Sequence, residues 1–271
     1  MTKMKPTILL ALSSDKPSHD WEFGQKALGI LYAADPALKP ERLGLDDTDL
    51  RKKRSFETVE DARPFWAKFG DYVEAEDISI VDGLPDQLMS GLLWKRARPL
   101  RARGSFWFAW FHKVLQQALP SQLEITADYV ERIDYEAMFK DYCALYEPQQ
   151  AYLHYINKAV KNEDRALSAK INQPERLNGN IYSFLTGFFG GTKDEKTFDL
   201  GAMNFFSTDW LGEGTVERLK DAGLSVTESA NGCFLDLVPN ISDLDTCFET
   251  FVERRKLAKD IIGPDRFEIA A

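Results

Sequence analysis

The chain has 271 residues, and 43 Asp and Glu against 34 Lys and Arg give it a formal net charge of −9. Its 44% hydrophobic and 28% charged residues are the composition of a globular protein and exclude a disordered chain. TILLAL at 7–12 is too short to span a bilayer or to serve as a signal-peptide core, so the expected location is the cytoplasm, with no membrane partner.

TILLALSS reads as a first strand, and WEFGQKALGILYAA, 21–34, spaces Trp21, Leu28 and Leu31 along one helical face before Asp35-Pro36 stops it. A polar loop follows to Arg54. SFETVEDARPFWAKFG then sets Val59, Ala62, Trp66 and Phe69 on one stripe; Thr58 and Asp61 resemble a capping box, and Pro64 kinks the helix or delays its start. ISIV, 78–81, is a short strand. Residues 92–100 and 105–111 form two arms of an expected hairpin around Ala102-Arg103-Gly104. LEITADYVE, 123–131, alternates as a strand with one wet face, and Asp134 caps a helix carrying Phe139, Cys143 and Tyr146.

Residues 159–180 are the most polar long segment. The expected division is an N-terminal α+β half, 1–160, a polar connection at 161–179, and a C-terminal half, 180–271, all of which one continuous domain also accommodates. In the C-terminal half MNFF is a strand and TVERLKDAG a short helix. LSVTES and CFLDLV are hairpin arms joined through Ala230-Asn231-Gly232. Ser242 and Asp245 then cap a helix expected to run to Ile262 before Gly263-Pro264. This order predicts the α+β class, with antiparallel sheet packed by helices on one face. No internal repeat stands out, although two similar halves fit the pattern.

Cys143, Cys233 and Cys247 are odd in number and irregularly spaced, matching neither a disulfide framework nor a zinc site. Metalloprotease, hydrolase, P-loop and dinucleotide motifs do not occur, so the reading is of a non-enzyme without cofactor, metal or catalytic residue. His154 lies among aromatics and reads as structural, as does His112. Asp194-Glu195-Lys196 offers the acid-x-Lys half of a metal-nuclease motif, and that enzyme is kept as a rival.

Charge is arranged in blocks. Residues 71–86 carry Asp71, Glu74, Glu76, Asp77, Asp82 and Asp86 with no base, and 221–253 carry seven acids with no Lys, Arg or His. WKRARPLRARGSFWFAWF, 94–111, is the basic exception. Its arginines alternate between acidic neighbours, so it reads as a balanced sheet face with a core aromatic run, not as a nucleic-acid groove. The acid-only block of 221–253 is read as a surface that steers a basic protein partner. Glu228, Asp236, Asp243, Asp245 and Glu249 are its candidate contacts, with Glu228 and Asp236 expected on one wet face. Arg254, Arg255, Lys256 and Lys259, toward the helix end, are read as partners of its dipole.

NFFSTDWL, a short helix, GLSVTESANGCFLDLVPNISD and a closing helix together resemble the C-terminal part of the immunity protein 52 family of polymorphic-toxin systems. The family's hairpin pattern falls on Val226, Gly232, Leu235 and Leu237, with Asp243 and Asp245 after it. Asp35 to Leu38 resembles the family's opening and 144–153 its middle segment, about half the chain in all. The resemblance implies a cytoplasmic inhibitor that neutralises a cognate toxin, usually a nuclease effector delivered by type VI secretion, through direct contact. An effector-binding adaptor or chaperone is the alternative.

Overall fold

The computed structural model describes residues 5–45, 50, 56–70, 73–170, 197 and 199–267. Two compact units are present, Leu12–Pro148 and a second made of Met1–Ala11 with Gln149–Ala271. The polar connection expected at 161–179 begins inside a helix, and its residues 171–179 lie outside the described residues.

The middle unit takes residues 12–14 of strand β1, Thr7–Ser14, followed by helix α1, Trp21–Ala34, with the bounds its periodicity predicts. After β2, Arg42–Gly44, the expected helix near residue 60 is a 3₁₀ helix, Val59–Phe65. Its Thr58–Asp61 capping box is present. Pro64 lacks the amide that α-helical continuation needs, and its ring crowds the carbonyl four residues back, so the turn stays short.

Short strands follow: β3, Lys68–Phe69; β4, Ile80–Val81; β5, Leu84–Pro85; and β6, Met89–Ser90. Then come β7, Leu92–Arg96; β8, Ala102–Trp107; β9, Trp110–His112; β10, Gln117–Leu119; β11, Ser121–Asp128; and helix α2, Tyr135–Tyr146, capped by Asp134. The main sheet of this unit has the order β1-β11-β8-β7-β2, while β3–β6, β4–β5 and β9–β10 are separate pairs.

The β7–β8 hairpin turns about four residues earlier than expected, through 97–101 around Pro99, and Ala102-Arg103-Gly104 lies inside β8. Gly104 is not a turn residue. A Cβ there would stand 2.3 Å from the Glu124 carbonyl and 2.6 Å from the Trp94 indole nitrogen, so β8 and β11 approach only because the side chain is absent.

Register sorts the opening basic stretch. Leu92, Phe106 and Leu123 align on one face with Trp94, Gly104 and Ile125, and this face is buried. Trp66 packs on it, its ring 5.3 Å from Phe106 and 4.9 Å from Phe108. Phe106, Phe108 and Ala109 are core as expected, whereas Trp107, Trp110 and Phe111 are half-buried. The arginines do not share one face. Arg96 donates to the Lys39 and Arg98 carbonyls, Arg101 pairs with Asp128 at 3.1 Å, and Arg103 lies across from Lys95 on the opposite side of the sheet.

The second unit orders its strands β14-β15-β13-β12-β1. These are β12, Gln150–Ile156; β13, Met203–Ser207; β14, Ser225–Ser229; and β15, Gly232–Asp236, with antiparallel pairing from β12 to β14. Its helices are α3, Lys158–Lys170; α4, Thr208–Leu211; α5, Thr215–Asp221; and α6, Phe248–Ile262. The chain is therefore α+β, antiparallel sheet with packed helices. No helix among the described residues is long and apolar enough to cross a membrane.

Candidate partner-binding surface

The five acids proposed from sequence sit in the second unit, on four different elements. Glu228 on β14 stands opposite Cys233, whereas Asp236 on β15 stands opposite Ser225. Directly paired residues point to the same side and successive residues alternate. Glu228 thus shares a face with Val226, Cys233 and Leu235, while Asp236 shares the other with Phe234 and Thr227. The expected common wet face does not exist. Glu228 is exposed and ion-paired with Lys220 of α5, whose ammonium is held above its ordinary pKa by that hydrogen bond. Asp236 is half-buried beside Met203 of β13.

Asp243 and Asp245 do not open a long helix. Ile241–Asp245 is a 3₁₀ turn, and α6 begins only at Phe248. Asp243 Oδ2 accepts from the Asn240 amide and side chain at 3.0 and 3.1 Å, closing a capping box on that turn. Asp245 accepts from the Tyr155 hydroxyl at 2.8 Å and from Asn157 Nδ2 at 3.0 Å. Asn157 Nδ2 also donates to the Leu244 carbonyl at 3.0 Å, drawing away an acceptor that an uninterrupted helix would use. Both aspartates therefore hold the chain to itself. Glu249, in the first turn of α6, is exposed, and so is Glu253 one turn later.

A different charged group lies beneath α6. Asp199 is 5% exposed and sits 2.6 Å from Lys259 Nζ and 3.5 Å from Arg255 Nη1; Glu163 of α3 takes both terminal nitrogens of Arg255. Burial lowers the Lys259 pKa against the raising influence of Asp199, while Arg255, despite its own burial, is raised by Asp199 and Glu163. Two acids balance two bases, which makes this a structural lock and not an unmatched charge awaiting a ligand. His154 lies beside it, stacked on Phe251 at a centroid distance of 5.6 Å, with Nδ1 accepting the Ala202 amide at 3.2 Å. Burial, with Arg255 adding to it, pulls its pKa down to about 3. Such an imidazole is neutral at physiological pH.

Arg255 and Lys259 thus serve this lock, not the helix dipole alone as the sequence reading has it. A signal for them exists: with Phe251, Ala258 and Ile262 they fall at the spacing of one buried helical stripe. Among the described residues no group of three or more His, Cys, Asp or Glu is placed to hold a metal ion. Asp194, Glu195 and Lys196 lie outside the described residues. Cys143 and Cys233 are buried free thiols and Cys247 an exposed one.

No family model matches the chain, and no curated protein does. Among solved structures, the Pseudomonas aeruginosa T6SS protein PA0821 has a similar fold, with a TM-score of 0.52 at 10% identity over 95% of this chain and 72% of that one.

Proposed function

We propose that this chain is an immunity protein of a bacterial secretion system, acting in the cytoplasm by binding and neutralising a cognate toxin through direct protein contact. The reading is carried by the fold that 95% of the chain shares with a protein named for the T6SS. The net charge of −9 and the acid-only blocks support it, because a nuclease effector must present cationic groups to phosphate. Inhibition needs no chemistry from the inhibitor, only an interface of roughly 800 Å² per partner. The resemblance to the immunity protein 52 family belongs to this proposal as its most specific form.

The test pairs this chain with the toxin encoded beside its gene. The two purified proteins are expected to co-elute at micromolar concentration, and co-expression is expected to restore growth to cells that make the toxin in their cytoplasm. Absence of co-elution removes the pairing. Co-elution without rescue converts the protein into an effector-binding adaptor. Cleavage of DNA or RNA by this chain alone, with magnesium or manganese present, would establish the nuclease instead.

A further inference from the structure

Large apolar side chains are exposed at five places among the described residues: Ile80, Leu88, Val114, Leu115 and Leu257. The first four belong to the middle unit, and two hairpins fixed to each other carry three of them. β4 and β5 are joined by Asp82 and Gly83 at φ of 51° and 80°, the backbone of a two-residue hairpin turn. β9 and β10 flank the loop Lys113–Gln116, where Val114 is 85% exposed. β5 lies against β9, and Lys113 Nζ reaches 2.8 Å to the buried carboxylate of Asp86, just past β5. Asp86 is held in turn by the Ser79 amide at 3.0 Å. Leu88 follows two residues after Asp86.

Single exposed apolar side chains are ordinary, but three on tethered hairpins, with Leu88 just beyond β5, mark an interaction surface. The chain leading into these hairpins is acidic. Glu74, Glu76, Asp77 and Asp82 are exposed, and residues 71–94 contain no Lys or Arg. Lys113, the cation between the hairpins, already faces Asp86.

We propose that the β4–β5 and β9–β10 hairpins are the docking surface for a basic protein, which seats an apolar anchor on Ile80, Leu88, Val114 and Leu115 while its Lys and Arg face Glu74, Glu76, Asp77 and Asp82. Apolar centre and charged rim are the usual anatomy of a protein interface. Charge selects the occupant. A second copy docked symmetrically would set one acidic rim against another, which is unfavourable, whereas a cationic surface meets both parts of the patch. Resting on the proposed function, this surface is where the toxin binds, and it lies in a different unit from the five acids chosen from sequence.

The experiment compares wild type with Val114→Asp/Leu115→Asp, with Glu76→Lys/Asp77→Lys, and with Glu249→Lys/Glu253→Lys as a control on α6. The probe is a catalytically inactivated form of the toxin encoded beside the gene, followed by calorimetry and stopped flow. All substituted side chains are exposed, so unfolding temperatures should agree with wild type; if the tip variant unfolds, Val114→Ser takes its place. The tip variant should bind about 30-fold more weakly or worse, as for an interface anchor. The rim variant should associate roughly tenfold more slowly at low salt with little change in dissociation, and the α6 variant, which changes net charge equally, should slow association clearly less; equal slowing would overturn the rim assignment. Wild-type binding that the tip and rim variants leave intact overturns this surface and spares the immunity reading. No binding by wild type removes both. A wild-type dimer abolished by the tip variant gives the patch to a second copy and also overturns the proposal.

Discussion

At His154 the imidazole accepts one backbone amide, stacks on Phe251 and sits beside a guanidinium, so protonating it inside the fold is costly. The folded chain keeps it neutral down to about pH 3, while an unfolded chain takes the proton near 6.5. The unfolded state therefore binds more protons in between, and stability falls as pH drops from 6.5 toward 3, by about 5 kcal/mol in all. His154→Gln keeps an acceptor for the Ala202 amide and removes the titration. Urea unfolding at pH 7, 6, 5 and 4 should give the variant a visibly flatter dependence; parallel curves would assign the acid sensitivity elsewhere. The sequence placed His154 among aromatics and so announced its burial. Its neighbour Arg255 could not be read, because 101 positions separate them and only the packing of α6 over β12 brings them together.

Elements with a strong local period kept their expected places. α1 has its predicted bounds, and β11 keeps the expected alternation from Ser121 to Ala127, although it ends at Asp128 instead of Glu131 and its second face is half-buried, not wet. Elements whose ends depend on distant partners moved. The closing helix lost its first turns to a 3₁₀ segment because Asn157 and Tyr155 of another part of the chain take hold of Leu244 and Asp245. The β7–β8 turn moved because Gly104, a turn residue by sequence, is needed where β8 crosses close to β11. Gly104→Ala should therefore destabilise the protein by about 2–3 kcal/mol, seen as a lower urea midpoint. An unchanged midpoint would mean the strands have room to part. The sequence also held a signal that went unused. Asp82-Gly83 is a hairpin dipeptide, and reading it with ISIV would have located the β4–β5 hairpin.

Across the whole molecule the acid surplus has two fates. Part of it is consumed internally, as Glu228 is by Lys220, Asp128 by Arg101 and Asp199 by Lys259 and Arg255. Other acids stay on the outside, among them Glu249 and Glu253 of α6 and Glu74, Glu76, Asp77 and Asp82 in and before the β4–β5 hairpin. A field of that sign speeds encounter with a cationic protein and is screened by salt over about 10 Å at 0.1 M. Association with the proposed toxin partner should accordingly slow by roughly tenfold or more between low salt and about 0.5 M, with dissociation far less affected. A rate independent of ionic strength would show that charge does not steer this encounter.

The sequence by itself determined the α+β class, the helices and strands with clear periodicity, and the existence of a concentrated negative charge, because each depends on composition or on neighbours a few residues away. Which acids remain available to a partner was decided by the tertiary structure. A carboxylate's role depends on what lies within about 3 Å of it, and for Asp199, Asp245 and Glu228 that neighbour comes from another element of the fold.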